Sequence, residues 1–308
     1  MRARTTTTLA LSVALACGLT GCSGVHPPTA APPSTAQRSS AQPSTAASSA
    51  AAFAALEQRF RARLGLVVLD PRDGTSVQYR ADERFPFAST NKVFIAAAVL
   101  DRSSTADLDA VVHFDRSDLL AYAPVTERHL DTGMTVRELV DAALRYSDNT
   151  AANLLVERLG GPAAVQRWLR STGDRVTRVD RVEPDLNTAV PGDPRDTTTP
   201  LQFAADLRAV LLGDVLSPAA RALLRSTMAA NTTGDATIRA GVPSGWEVAD
   251  KTGTGERGVR NDIGIVTPAG GDPLVVVVTT RTDDPDAAPS DALVAAATRA
   301  GIAALRTA

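Results

Sequence analysis

The hydrophobic period changes twice along this chain, and that change limits the available folds more than any other feature. Ala51 to Arg63 reads as a helix and Leu64 to Leu69 as a strand, and Pro71-Arg72-Asp73-Gly74 turns the chain into a second strand through Val77 and Tyr79. Beyond Phe85 the pattern turns helical. Val93 to Leu100 is apolar throughout and predicts a buried helix; Thr135-Val136-Arg137-Glu138 is a capping box, Gly160-Gly161 a helix stop, and Thr199-Pro200 and Ser217-Pro218 are two further starts. From Trp246 the period is two again, predicting strands over Val248 to Thr252, Asn261 to Thr267 and Leu274 to Arg281 and a closing helix over Asp291 to Leu305. Strands from both ends around a helical middle imply an α/β chain of the α+β sandwich type. An antiparallel sheet domain is built from both chain ends (residues 51–84 and 235–308) with helices on its faces, an all-helical domain (85–234) is inserted, and the ligand cleft lies between them.

The N-terminal stretch has a different character. Arg2 and Arg4 precede an apolar run from Leu9 to Leu19, too short to span a bilayer but suited to a signal-peptide core, so residues 1–21 read as an export signal. Leu19-Thr20-Gly21-Cys22 resembles the bacterial lipobox, which implies cleavage before Cys22 and attachment of lipid to its thiol. Residues 22–50 are Pro, Ser, Thr, Ala and Gln with almost no large apolar side chain, a composition expected to form a flexible tether. The expectation is an exported catalytic domain, lipid-anchored at the outer face of the cell membrane and partly released, acting as a monomer.

Composition excludes several chemistries. A net charge of −2 over 308 residues leaves no electrostatic footprint for nucleic acid. The two cysteines, Cys17 and Cys22, both precede the folded body, which therefore holds no disulfide or thiolate metal site. His26, His113 and His129 show no metal-ligand spacing, so neither a metal nor any other cofactor is expected and a Ser-His-Asp triad is unsupported.

The chemistry concentrates in four stretches. Ser89-Thr90-Asn91-Lys92 stands at the mouth of the apolar helix, where unpaired N–H groups and the helix dipole favour a developing anion, and Lys92 at i+3 lies on the face of Ser89, within reach of its hydroxyl. The alternative is an N-cap serine beside a surface lysine. Against it, the chain has 32 Lys and Arg, of which only Lys92 and Lys251 are lysine; a position that keeps Lys against that bias needs a compact, deprotonatable amine. Ser147-Asp148-Asn149 falls between two helical patterns, as a polar loop or a simple N-cap. Lys251-Thr252-Gly253-Thr254-Gly255 ends a strand with a cation, hydroxyls and glycines that permit close backbone approach, or else marks a bulge. Arg178 to Asp196, charged and proline-containing between two helices, has the make-up of a functional Ω-type loop or of a solvated connection.

S-x-x-K, S-D-N and K-T-G in this order, with Glu183-Pro184-Asp185-Leu186-Asn187 in the loop, closely resemble the class A serine β-lactamases from about Phe53 to the C-terminus. The resemblance implies that Ser89 attacks a β-lactam carbonyl, with the backbone N–H groups of Ser89 and Thr254 as oxyanion hole and Gly253 giving the strand its close approach. It implies that Ser147 passes a proton to the leaving nitrogen in the field of Lys92 and Lys251, and that Asn149 holds the substrate's side-chain amide. Tyr122 would line the wall, Thr252 and Arg260 would take the substrate carboxylate, and Glu183 with Asn187 would direct the deacylating water. It leaves open whether Lys92 or Glu183 is the base for acylation. Arg181 and Asp196 are expected to pair, and Glu183-Pro184 is a candidate cis peptide. Val182 stands where many relatives carry an aromatic residue, and Ala88 and Gly255 where carbapenem-hydrolysing relatives carry a cysteine pair. Two rivals, a penicillin-binding D-Ala-D-Ala peptidase and a sensor that stays acylated, would lack the loop carboxylate.

Overall fold

The computed structural model describes residues 45–307. Helix α1 (Thr45–Phe60) is followed by strands β1 (Arg63–Leu69), β2 (Ser76–Tyr79) and β3 (Phe85–Pro86), then by α2 (Lys92–Arg102), α3 (Thr105–Asp109), β4 (Val111–Val112), β5 (Met134–Thr135), α4 (Val136–Arg145), α5 (Asn149–Leu159) and α6 (Pro162–Ser171). After a long loop come β6 (Thr197–Thr198), α7 (Pro200–Leu211), α8 (Pro218–Ala229), α9 (Ile238–Gly241), β7 (Glu247–Thr254), β8 (Arg260–Thr267), β9 (Leu274–Arg281) and α10 (Asp291–Leu305). Five strands form an antiparallel sheet in the order β2-β1-β9-β8-β7, so the two ends of the chain do meet in one sheet. Two further ladders have two strands each, β3 with β6 and β4 with β5.

Alternation sorts the sheet residues to its two faces. On β9, Val275 and Val277 join Val67, Ile263, Ile265 and the apolar face of α2 in one core, while Leu274, Val276 and Val278 join Leu64, Leu66, Val68 and Phe53 under α1 and α10 in the other. The caps read from the sequence are formed: Thr135 and Glu138 make a reciprocal capping box, and Thr199 and Ser217 accept from the N–H three residues on. Gly160 ends α5 at φ 95°, a conformation that favours glycine.

Two boundaries differ from expectation. Helix α1 begins at Thr45, inside the stretch read as tether, because the alanine-rich segment after Pro43 is a strong helix former despite its lack of large side chains. Helix α7, from the stretch assigned to the inserted helical domain, lies against β1 and β9, with Phe203 and Leu207 in the core shared with the sheet. The signal, Cys22 and most of the tether lie outside the described residues.

Candidate active site

Ser89 sits in a 3-10 turn (Ala88–Asn91) that runs into α2, with Phe87 ahead of it and no side-chain cap, so the N-cap alternative does not hold. Ala88 enters the turn at φ 47°, a left-handed conformation that an alanine adopts only when its surroundings impose it. Those surroundings are strand β7 and Asn261. A Cβ on Gly253 would stand 3.0 to 3.1 Å from Phe87 O, Thr90 N and Ser89 N, so glycine lets the strand lie against the nucleophile's turn without displacing it. Asn261 Nδ2 donates to Pro86 O and Phe87 O, at 2.8 and 3.2 Å, and ties the same turn to β8.

The expected direct bond between Lys92 and Ser89 is not formed among the described residues. Lys92 Nζ donates to Ser147 O (2.8 Å), Asn149 Oδ1 (2.6 Å) and Glu183 Oε1 (3.0 Å), and Ser89 Oγ donates to the same Glu183 oxygen at 3.0 Å. The carboxylate, brought from 94 residues away, takes the place that spacing along the helix suggested for the amine. Burial pushes the Lys92 ammonium below its ordinary value, opposed by the nearby Glu183 charge.

Ser147 also holds a left-handed conformation, φ 58°, on the residue before the N-cap of α5. Its Oγ accepts from Lys251 Nζ at 3.0 Å, and the buried Lys251 is pushed down to about 7, first by desolvation and then by the Lys92 charge. Asp148 is both the N-cap, accepting from Ala151 N, and a buried anchor that accepts from Val125 N, Thr126 N and Thr126 Oγ1. With Asn149 N donating to Tyr122 O, this fixes the segment that carries Tyr122.

The loop from Arg178 to Asp196 leaves and re-enters beside the β3–β6 ladder. Phe87 N donates to Asp196 O and Arg178 N to Thr197 O. Inside it, Asp196 is fully buried and accepts from Asp180 N, Arg181 N and Arg181 Nε (2.5 Å), the expected ion pair. The Glu183-Pro184 peptide is cis. Glu183 is 3% exposed, with Asn187 Nδ2 donating to Oε2 at 2.5 Å. Sequence reasoning missed Asn153. Its amide donates to Glu183 O (2.8 Å) and accepts from Glu183 N (3.0 Å), clamping that backbone to α5; a polar residue one turn beyond Asn149 on the same helix face was the available signal.

Ser89, Tyr122, Ser147, Asn149, Asn187, Thr252, Thr254 and Arg260 line one cavity of about 370 Å³, together with Thr233. Lys92, Lys251 and Glu183 lie buried behind its wall. Arg260 is held toward the cavity on three sides, donating to Asp291 Oδ1 (2.5 Å), Thr254 Oγ1 (3.0 Å) and Thr233 O (3.2 Å).

Residues 48–305 match the β-lactamase enzyme family. The chain belongs to that family. A β-lactamase of Amycolatopsis lactamdurans is 51% identical over 253 residues, covering 82% of this chain and 84% of that protein, and β-lactamase FAR-1 of Nocardia farcinica is 51% identical over 256 residues, 82% of each. Among solved structures, the reconstructed class A β-lactamase of the last common ancestor of Gram-negative bacteria superposes with a TM-score of 0.81 at 53% identity, covering 84% of this chain and 99% of that one. The fold and the motifs together make this chain a class A serine β-lactamase, an enzyme that hydrolyses the amide of β-lactam antibiotics.

Proposed function

We propose that Glu183 serves both halves of the β-lactamase reaction, as proton acceptor from Ser89 in acylation and as base for water in deacylation. The observation that carries this is the shared oxygen, Glu183 Oε1, which faces Ser89 Oγ and Lys92 Nζ at 3.0 Å each. Lys92 Nζ makes its three shortest contacts, at 2.6 to 3.0 Å, to Ser147 O, Asn149 Oδ1 and Glu183 Oε1, with Ser147 Oγ at 3.4 Å, and Ser89 Oγ turns its hydrogen to Glu183 instead. Ser89 attacks the lactam carbonyl as its proton passes to Glu183. The N–H groups of Ser89 and Thr254 receive the oxyanion, each contributing about 10²–10³ in rate at comparable sites. Ser147, between the two lysines, hands a proton to the departing nitrogen; Asn149 and Tyr122 hold the substrate's side chain; Thr252 and Arg260 take its carboxylate. Water aligned by Asn187 and Glu183 then releases the product.

Glu183→Gln is expected to lose about 10²–10⁴ in turnover, forming the covalent Ser89 adduct with a penicillin more slowly than wild type and retaining it once formed, as followed by intact mass spectrometry, whereas Ser89→Ala shows no adduct. Wild-type turnover in Glu183→Gln would remove Glu183 from deacylation. An adduct that forms in Glu183→Gln at the wild-type rate would remove Glu183 from acylation.

The export reading rests on the N-terminal sequence alone. With Cys22 lipidated, the monomeric catalytic domain works at the outer face of the membrane on a short tether. Cys22→Ala then moves activity from the membrane fraction to the medium with turnover unchanged. Persistent membrane association in that variant would end the lipoprotein reading.

A further inference from the structure

Behind Thr252 and Arg260 a chain of hydrogen bonds runs from a buried charge to the cavity, and counting hydrogens fixes its direction. Asp250 on β7 and Asp262 on β8 are both fully buried. Asp262 stands opposite Thr252 in the ladder, and its Oδ2 lies 2.6 Å from Thr237 Oγ1, whose other partner is the Gly234 carbonyl at 2.9 Å. A hydroxyl has one hydrogen and a carbonyl has none. The single hydrogen of Thr237 lies between the Gly234 carbonyl, which also accepts from Thr237 N at 3.1 Å, and Asp262 Oδ2, which also accepts from Ile238 N at 3.0 Å. Among the described residues no guanidinium pairs with Asp262, and it is the neutral carboxyl of the two. Burial and the Asp250 charge push the Asp262 carboxyl well above the ordinary range, in agreement. Burial raises the Asp250 carboxyl too, but its Oδ1 faces the Arg239 guanidinium at 2.7 Å, so the negative charge of the pair sits on Asp250.

That charge settles the Asn231 amide. Its Nδ2 donates to Asp250 Oδ2 at 2.7 Å, so its Oδ1 points the other way and accepts from Thr233 N (3.0 Å) and Thr233 Oγ1 (2.9 Å). Thr233 Oγ1 and Thr252 Oγ1 are 2.5 Å apart. Because Thr233 has committed its hydrogen to Asn231, the one between the two threonines comes from Thr252. There is no room for a side chain in this relay: a Cβ on Gly234 would collide with Asp250 Oδ2.

We propose that Asp250 and Asn231 are positioning residues for the substrate carboxylate: Asn231, oriented by Asp250, holds Thr233 against Thr252 through the Thr233 N–H, and the arriving anion reverses the hydroxyl chain Thr252 to Thr233 to Asn231. Thr252 turns its hydrogen to the carboxylate and Thr233 turns its own to Thr252, while Asn231 Oδ1 keeps the Thr233 N–H and is never left without a donor. Arg239 neutralises the buried charge, and Asn231 and Thr233 stand between it and the hydroxyl that meets the anion. This rests on the reading of Thr252 and Arg260 as carboxylate ligands.

The test compares kcat/KM for a penicillin and for its methyl ester. In Thr233→Val and Asn231→Leu the acid-to-ester ratio is expected to fall about tenfold, the worth of one hydrogen bond to a charged group, through KM rather than kcat; Thr233→Ser restores it. Thr233→Val leaves the Asn231–Asp250 bond intact and decides the matter if Asn231→Leu does not fold. Thr252→Val is the reference. If it lowers the ratio while Thr233→Val and Asn231→Leu keep the wild-type value, the relay is wrong and the carboxylate subsite stands. If Thr252→Val leaves the ratio unchanged, the subsite reading itself fails.

Discussion

The two walls of the cleft are held by different forces. The strand wall, Lys251 to Thr254, is an edge of the sheet, and every residue of it is paired in register with β8, from Lys251 with Ile263 to Thr254 with Arg260. Its geometry is set by backbone bonds that no side-chain substitution removes. The loop wall, Arg178 to Asp196, has almost no backbone ladder of its own. Asp196 gathers two N–H groups and a guanidinium, Asn153 clamps Glu183, and Glu256 N reaches over from the strand side to Asn187 O at 2.9 Å. Deacylation takes both its base and its water from the second wall, whereas acylation takes its base from the second and its oxyanion donors from the first, so breaking the loop and sparing the strand should slow deacylation more than acylation.

The largest effect is expected at Asp196. Asp196→Ala leaves two partly buried N–H groups and the partly buried Arg181 without their acceptor, and breaking such a pair costs about 3–5 kcal/mol. The midpoint of thermal unfolding should fall accordingly, and at a temperature where the variant is folded deacylation should slow far more than acylation. Stopped-flow acylation and single-turnover decay measure the two. Equal slowing of both steps would show that the walls are not independent.

The same contrast explains what the sequence disclosed. Elements fixed by local signals were legible: the caps at Thr135, Thr199 and Ser217, the stop at Gly160, and strands whose alternating Val and Leu sort to two cores. So were motif residues whose chemistry is tied to type, such as Ser89 and Lys251. The partner of Lys92 was not, because Glu183 reaches it from a distant loop, whereas Ser89 lies three residues away and spacing favoured it. Nor were the short ladders, since nothing in Phe85-Pro86 announces Thr197-Thr198 as its partner. Asn153 and Asn261 brace the site from inside a helix and a strand, where a lone Asn looks like an ordinary polar residue.

A smaller effect probes the strand wall at its one steric weak point. Gly253→Ala places a methyl 3.0 to 3.1 Å from three backbone atoms of the nucleophile's turn, which cannot move like a flexible side chain. Overpacking of this kind costs about 1–3 kcal/mol. Here the step affected should be acylation, because the strand is driven from the Ser89 N–H and the oxyanion hole widens; deacylation of whatever adduct forms should change less. An acylation rate equal to wild type would mean that the turn yields without cost.

The effect with the most gradual onset concerns the electrostatic weak point of the same wall. Lys251 is fully buried, and desolvation with the Lys92 charge brings it from 10.5 to about 7. Below pH 7 it is protonated both folded and unfolded, and the cost of burying its charge is carried in full. Between pH 7 and 10.5 the folded protein has released the proton and the unfolded chain still holds it. The unfolded state then binds more protons, so stability rises with pH, by at most about 1.4 kcal/mol per pH unit for one group. Lys251→Met removes this contribution. The difference in unfolding free energy between wild type and Lys251→Met, measured by denaturant titration, should therefore be flat below pH 7 and climb from pH 7 to 9 in favour of wild type. A difference that stays level through pH 9 would place the charge of Lys251 at no cost to the fold, and the strand wall would have no electrostatic weak point at all.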